Sequence, residues 1–132
     1  VSVDMRSGVI HVEKVWVALD VGVAVSPDNI VSQVDGQVIY GLSNLLKGRI
    51  ILNRGRVQQT NFFDYPIMRI NEIPEIEVSI ITRADSEPSG VGDSRLSPLP
   101  AAVANAVADL TGKRLRHMPF LPERVLTLLQ ST

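Results

Sequence analysis

Ser26-Pro27-Asp28-Asn29-Ile30-Val31-Ser32-Gln33-Val34-Asp35-Gly36-Gln37-Val38-Ile39-Tyr40-Gly41-Leu42-Ser43-Asn44-Leu45-Leu46-Lys47-Gly48 is the stretch on which the fold turns. Ile30, Val34, Val38, Leu42, Leu45 and Leu46 recur at helical spacing, which predicts one long amphipathic helix. Ser26 suits its N-cap and Pro27 its first position. Asp28 lies in the first turn, where negative charge favours the helix dipole. Gly48 marks its end. Gly36 and Gly41 sit inside it, each costing about 1 kcal/mol relative to Ala. Interior glycines of this kind point to close approach of another backbone, a neighbouring helix or a bound ligand.

On the amino-terminal side, Val1, Val3 and Met5 alternate with Ser2 and Asp4, the period of a half-buried strand. Arg6-Ser7-Gly8 supplies a turn, and a second strand runs from Val9 to about Asp20. Its alternation slips: Ile10 and Val12 share one face, while Val15, Val17 and Leu19 fall on the other. A β-bulge near Glu13-Lys14 and burial on both faces explain this equally well. On the carboxy-terminal side, Asn53-Arg54-Gly55 lies between two short strands, a hairpin signal. Thr60 to Pro74 is broken by Pro66 and Pro74 and reads as an extended segment crossing the domain. Ile76, Val78 and Ile80 alternate with polar residues as a strand with one wet face.

Arg83 to Leu99 then reads as a loop, holding Pro88, Gly90, Gly92 and Pro98; unstructured loops this long are uncommon in compact domains and usually functional. A helix is expected from about Pro100, with Val103, Val107 and Leu110 on one face and Gly112 as its cap. Pro122 begins a last short helix. The order β-β-α-β-β-β-α-α predicts a single α+β domain over residues 1–132, with a mainly antiparallel sheet, two principal helices packed on it and a short carboxy-terminal helix.

Composition bounds what such a domain can do. The 132 residues are 45% hydrophobic and 20% charged, which is globular rather than disordered. A net charge of −1 gives no excess to attract phosphate backbones, so nucleic acid is not an expected partner. No apolar run approaches the roughly 20 residues of a membrane helix. The absence of cysteine excludes disulfides, thiolate metal sites and cysteine nucleophiles together, and fits either redox compartment. The chain begins at Val1, which suggests trimming or a fragment.

No HExxH, P-loop or nucleophile-elbow pattern occurs. His11 and His117 have no acidic partners nearby in sequence and read as surface or structural residues, and no metal ligands are assigned. Lys113 to His117 could bind an anion, although a solvated helix terminus explains the cluster more simply. The long loop carries more. Asp93 follows Gly90-Val91-Gly92, where the backbone can turn sharply and present the carboxylate. Such a group acts as a general base if burial raises its pKa; it can equally be a turn residue bonded to its own backbone.

Gly90-Val91-Gly92-Asp93 followed by Pro98-Leu99-Pro100-Ala101-Ala102-Val103-Ala104-Asn105-Ala106 and Thr111-Gly112-Lys113-Arg114-Leu115-Arg116 resembles the end of a molybdenum hydroxylase large subunit. These are the xanthine oxidase and aldehyde oxidoreductase relatives. Asn61-Phe62-Phe63-Asp64-Tyr65-Pro66 and Arg69-Ile70-Asn71-Glu72 are most similar to the bacterial isoquinoline 1-oxidoreductase beta-subunit type. Asp20-Val21-Gly22 with Ser26-Pro27-Asp28, and Gln33-Val34-Asp35-Gly36 with Tyr40-Gly41-Leu42, match in the same order. The resemblance implies the carboxy-terminal segment of a molybdopterin-binding domain. The cofactor is expected as the cytosine dinucleotide form, and the substrate as an N-heterocycle or aldehyde. It further implies an iron–sulfur small subunit that carries electrons away. Asp93 stands where the family has a glutamate base, Gln33 where a glutamine contacts the pterin, and Gly90, Val91 and Gly92 in the loop beside the cofactor. The glycines at 36 and 41 then let that helix pack close to the cofactor.

Two departures bear on activity. Asp93 is one methylene shorter than the family's Glu, about 1.5 Å of reach. Arg95 can pair with Asp93 and fill space that a substrate needs. Most of the family's pterin-binding segments are also absent, so the isolated chain is expected to hold no cofactor and to be inactive. The alternative reading is a truncated relative acting as an interaction module. As an isolated fragment the chain would leave uncovered faces on the long helix and the Thr60 to Pro74 segment, which predicts a homo-oligomer burying Tyr40, Leu42 or Phe62.

Overall fold

The long helix expected over the decisive stretch forms as α1, Pro27–Leu46, in the computed structural model, which describes residues 1–92 and 97–131. Its apolar stripe of Ile30, Val34, Val38, Leu42 and Leu45 is buried. The Ser26 side chain makes no capping hydrogen bond; the Ser26 carbonyl accepts one from Ile30 N–H at 3.1 Å.

The slip in the Val9 to Asp20 run is a change of strand partner, neither a bulge nor burial on both faces. β1, Ser2–Val3, pairs antiparallel with β2, Ile10–His11. After buried Val12 the chain enters β3, Lys14–Asp20, which pairs elsewhere. Its partner is β6, Glu75–Ile81, with Val15 opposite Ile76, Val17 opposite Val78 and Leu19 opposite Ile80. Those side chains face the core, while Trp16 faces out beside Lys14, whose Nζ bonds Glu75 at 2.7 Å and Glu77 at 3.0 Å. Between them β4, Leu52–Asn53, and β5, Arg56–Val57, form the expected hairpin.

The α+β class therefore holds, with two of the three pairings antiparallel. The longest ladder, however, is parallel. The chain between β3 and β6 contains all of α1, a crossover long enough to return in the same direction. Alternation within each strand carries no sign of that direction.

α2, Pro98–Thr111, starts two residues before the expected Pro100 and buries Leu99, Val103 and Val107. Gly112 caps it in the left-handed region, its N–H donating to Ala108 O at 2.8 Å. α3, Pro122–Gln130, buries Val125. α1 packs on α2 and on β6, and Phe120 N–H donates to Leu45 O at 2.7 Å, which ties the carboxy-terminal segment to α1.

The Thr60 to Pro74 segment lies along the second half of α1. Tyr65 Oη donates to Asn44 Oδ1 at 2.8 Å, Met68 N–H donates to Ser43 Oγ at 3.0 Å, and Lys47 pairs with Glu72. Met68 packs against the core, whereas Phe62, Phe63 and Ile70 are exposed, as is Tyr40 on α1. Leu42 departs from expectation. It follows Val38 by four residues on the core stripe and is fully buried, which removes it from any contact between molecules.

Candidate functional site

The loop after β6 is fastened to the fold at three levels. At its start Arg83 forms an ion pair with Asp20 at the end of β3, and Arg83 N–H donates to Gly22 O at 3.0 Å. Asp20 also accepts from Gly22 N–H at 3.0 Å. The Arg83 guanidinium, then the Gly22 amide, hold the Asp20 carboxyl below the usual carboxylate range, and Asp20 in turn raises Arg83. Further along, Ser89 N–H donates to Val21 O at 2.9 Å. Gly22 is required at this crossing: its φ is +65°, and a Cβ there would lie 2.1 Å from Glu87 O.

The third fastening is to α1. Gln37 Nε2 donates to Val91 O at 3.1 Å and to Gly92 O at 2.8 Å. Gln37 is 6% exposed, and its Oε1 has no hydrogen-bond partner among the described residues. Burying an acceptor in that state costs about 1–3 kcal/mol.

Asn29, Gln33 and Gln37 follow at i, i+4, i+8 and share one face of α1. Asn29 and Val91 line one cleft of about 240 Å³, together with Ser26, Pro88 and Ser89. The loop therefore runs beside this helix face. From Asn29 to Gln37 the helix rises about 12 Å, close to the span of an extended chain from Ser89 to Gly92 at about 3.4 Å per residue. Gln33 lies midway and is exposed, as are Gly90 and Gly92, with Val91 half-buried. Among the described residues, a Cβ built at Gly36, Gly90 or Gly92 meets no neighbour within 4 Å. At Gly36 no other part of the described chain approaches, so a helix–helix contact does not explain this glycine.

The structure thus brings Gln33, Gly90, Val91 and Gly92 to one flank of the molecule. Asp93, the expected base, and Arg95 lie outside the described residues. Gln37 was missed in the sequence, although an amide between Val34 and Val38, four residues after Gln33, was the available signal. His11 and His117 are both exposed, as expected. A groove of about 980 Å³ between Arg114–Met118 and α3 shares no residue with this flank.

Among the described residues, this flank of an α+β domain presents neutral amides beside a glycine loop. A family model described as a molybdopterin cofactor-binding domain matches residues 1–74, and the chain belongs to that family. A nicotinate dehydrogenase polypeptide of Pseudomonas putida is 36% identical over 129 residues, 98% of this chain and 11% of that protein. The beta chain of isoquinoline 1-oxidoreductase from Brevundimonas diminuta is 37% identical over 113 residues, 86% of this chain and 14% of its own length. Among solved structures, quinoline 2-oxidoreductase from Pseudomonas putida 86 superposes with a TM-score of 0.87 at 22% identity, covering 98% of this chain and 17% of its own, which shows the fold alone. Aldehyde oxidoreductase from Desulfovibrio desulfuricans gives 0.82 at 27% identity, covering 96% and 14%. The chain spans between 11% and 17% of the length of these relatives.

Proposed function

We propose that this chain is the carboxy-terminal part of the large subunit of a molybdenum hydroxylase that oxidises N-heterocycles or aldehydes. The observation that carries this reading is the hydrogen-bonded glycine loop beside Gln33, in a chain of the molybdopterin cofactor-binding family. The names of the nicotinate, isoquinoline and aldehyde relatives support the substrate classes.

The residues present fit one side of a pterin. Gln33 offers an amide donor and acceptor from an exposed position, and Gly36, Gly90 and Gly92 leave open the space that side chains would fill. Among the described residues no group of three or more His, Cys, Asp or Glu could hold a metal ion. Gln33 would bind the pterin edge, and the backbone of Gly90, Val91 and Gly92 would border it, in a cytosine dinucleotide form of the cofactor. When bound, that cofactor supplies the two-electron oxidation and the oxygen delivered to the substrate carbon. Asp93 would take up the proton released in that step on its carboxylate and return it to solvent. An iron–sulfur small subunit would receive the electrons, and the remainder of the large subunit would supply the other pterin contacts.

Elemental analysis after gel filtration tests this. The complete large subunit should carry molybdenum near one per chain and the 132-residue chain none; molybdenum in the short chain, or its absence from the complete subunit, contradicts the reading. In the loaded enzyme Asp93→Ala should lower the chemical step with cofactor content unchanged, whereas Asp93→Glu should keep or raise activity unless Arg95 closes the site. Activity untouched by Asp93→Ala removes Asp93 as base. A second reading, an inactive relative serving as an interaction module, draws on the exposed Phe62, Phe63 and Ile70. It requires a complete gene product that binds no molybdenum.

A further inference from the structure

The Gln37 amide has only one workable orientation. Nε2 faces the carbonyl oxygens of Val91 and Gly92 at 3.1 and 2.8 Å. Flipping the amide would set Oε1 against two other acceptors, so the two carbonyls fix the assignment chemically. The same choice strands Oε1, which is buried and has no partner among the described residues. A side chain kept at this position for packing alone would be served by a hydrocarbon of equal volume. The amide is worth burying only for its donors.

Those donors act where the loop has least else to hold it. Gly90 and Gly92 carry no side chain to pack, and a Cβ at either would touch none of the other described residues. The preceding backbone anchor is Ser89 N–H on Val21 O. Beyond it, Gln37 clamps two successive carbonyls from one nitrogen. The clamp comes from the same helix face that carries Gln33 one turn earlier, so both sides of the proposed site are referred to one rigid element, α1.

We propose that Gln37 is the positioning residue of this site: it latches the Val91–Gly92 backbone onto α1 and sets its distance from Gln33. The role in turnover rests on the molybdenum hydroxylase reading; the latch does not.

The test has two parts. In the full chain, Gln37→Met keeps the volume and removes the donors, while Gln37→Glu keeps the shape and puts oxygen where nitrogen was. Both should shift the carbonyl 13C resonances of Val91 and Gly92, and speed amide exchange at Ser89 by about tenfold or more, the loss of one to two hydrogen bonds. Amides in α2 should not change. Gln37→Asn retains a donor on a shorter arm and should fall between wild type and Gln37→Met. If Gln37→Met folds and leaves the two carbonyl resonances and Ser89 exchange unchanged, there is no latch. If Gln37→Met does not fold, Gln37→Asn decides alone, and wild-type carbonyl shifts in it overturn the proposal.

In the molybdenum-loaded enzyme Gln37→Met should lower kcat by about a hundredfold, the scale of a 1 Å misplacement, with KM and molybdenum content retained. Unchanged kcat refutes the role in turnover. An enzyme that never binds molybdenum refutes the functional reading instead, and the resonance shifts still decide the latch.

Discussion

Gly36→Ala should have opposite consequences in the isolated chain and in a cofactor-loaded protein. Gly36 lies inside α1, and a Cβ there has no atom within 4 Å. The substitution therefore meets no clash and recovers the helix propensity that glycine forgoes, about 0.8–1 kcal/mol. With a urea m-value near 2 kcal/mol per molar, that raises the unfolding midpoint of the 132-residue chain by about 0.5 M, and Tm by about 3–5 °C. In the complete large subunit the same methyl enters the space beside Gln33 that the proposed cofactor borders. Molybdenum content after gel filtration should fall there, although the protein is no less stable. Denaturation of the chain and elemental analysis of the complete protein read the two halves separately. A destabilised chain means that Gly36 is not open. A stabilised chain with undiminished molybdenum in the complete protein means that this helix face does not meet the cofactor. Either result refutes the reasoning.

Gly22→Ala should destabilise the chain by about 2–4 kcal/mol, from a residue forced to φ +65° and a Cβ driven to 2.1 Å from Glu87 O; a urea midpoint within error of wild type contradicts the crossing described at Gly22. Arg83→Met should remove an acid-sensitive contribution. The Asp20 carboxyl is depressed in the folded state, so the pair stabilises above about pH 4 and its effect is lost as pH falls through the folded pKa. Wild type and Arg83→Met should therefore converge between about pH 5 and about pH 2, and a gap that stays constant over that range contradicts it. Sedimentation of the isolated chain should reveal association through exposed apolar side chains such as Tyr40, Phe62, Phe63 and Ile70, reduced by Phe63→Ser; a monomer unaffected by concentration contradicts it.

Much of the fold was legible because α1, α2, α3 and β6 carry periodic apolar positions and clear end signals. Pro27, Pro98 and Pro122 begin the helices and Gly112 closes α2. What stayed hidden was relational. The Val9 to Asp20 run serves two different partners, and alternation reports which face is buried, not which strand lies alongside or in which direction. The helix start before Pro100 was missed because Pro98 also reads as a loop residue.

The site divides in the same way. The glycine loop stood out by its length and its glycines, whereas Gln33 was recognisable only as a matched motif, since an exposed glutamine has no local signature of chemistry. Gln37 escaped altogether. Its significance comes from carbonyls more than fifty residues away, a contact created by the loop's return along α1. Leu42, expected at a face that a fragment would uncover, instead belongs to the core stripe that its own helical spacing with Val38 already marked.

The proposed function sets a molybdenum cofactor against the flank bearing Gln33 and the Gly90–Gly92 loop. The measurement that tests it most directly is an anomalous-scattering map of the complete, metal-loaded protein at the molybdenum absorption edge. The expected result is a single strong peak beside that flank, with pterin density against Gln33 and the loop backbone. A peak elsewhere on the chain, such as in the groove of Arg114 and Arg116 beside α3, or a metal centre that this chain does not border, contradicts it.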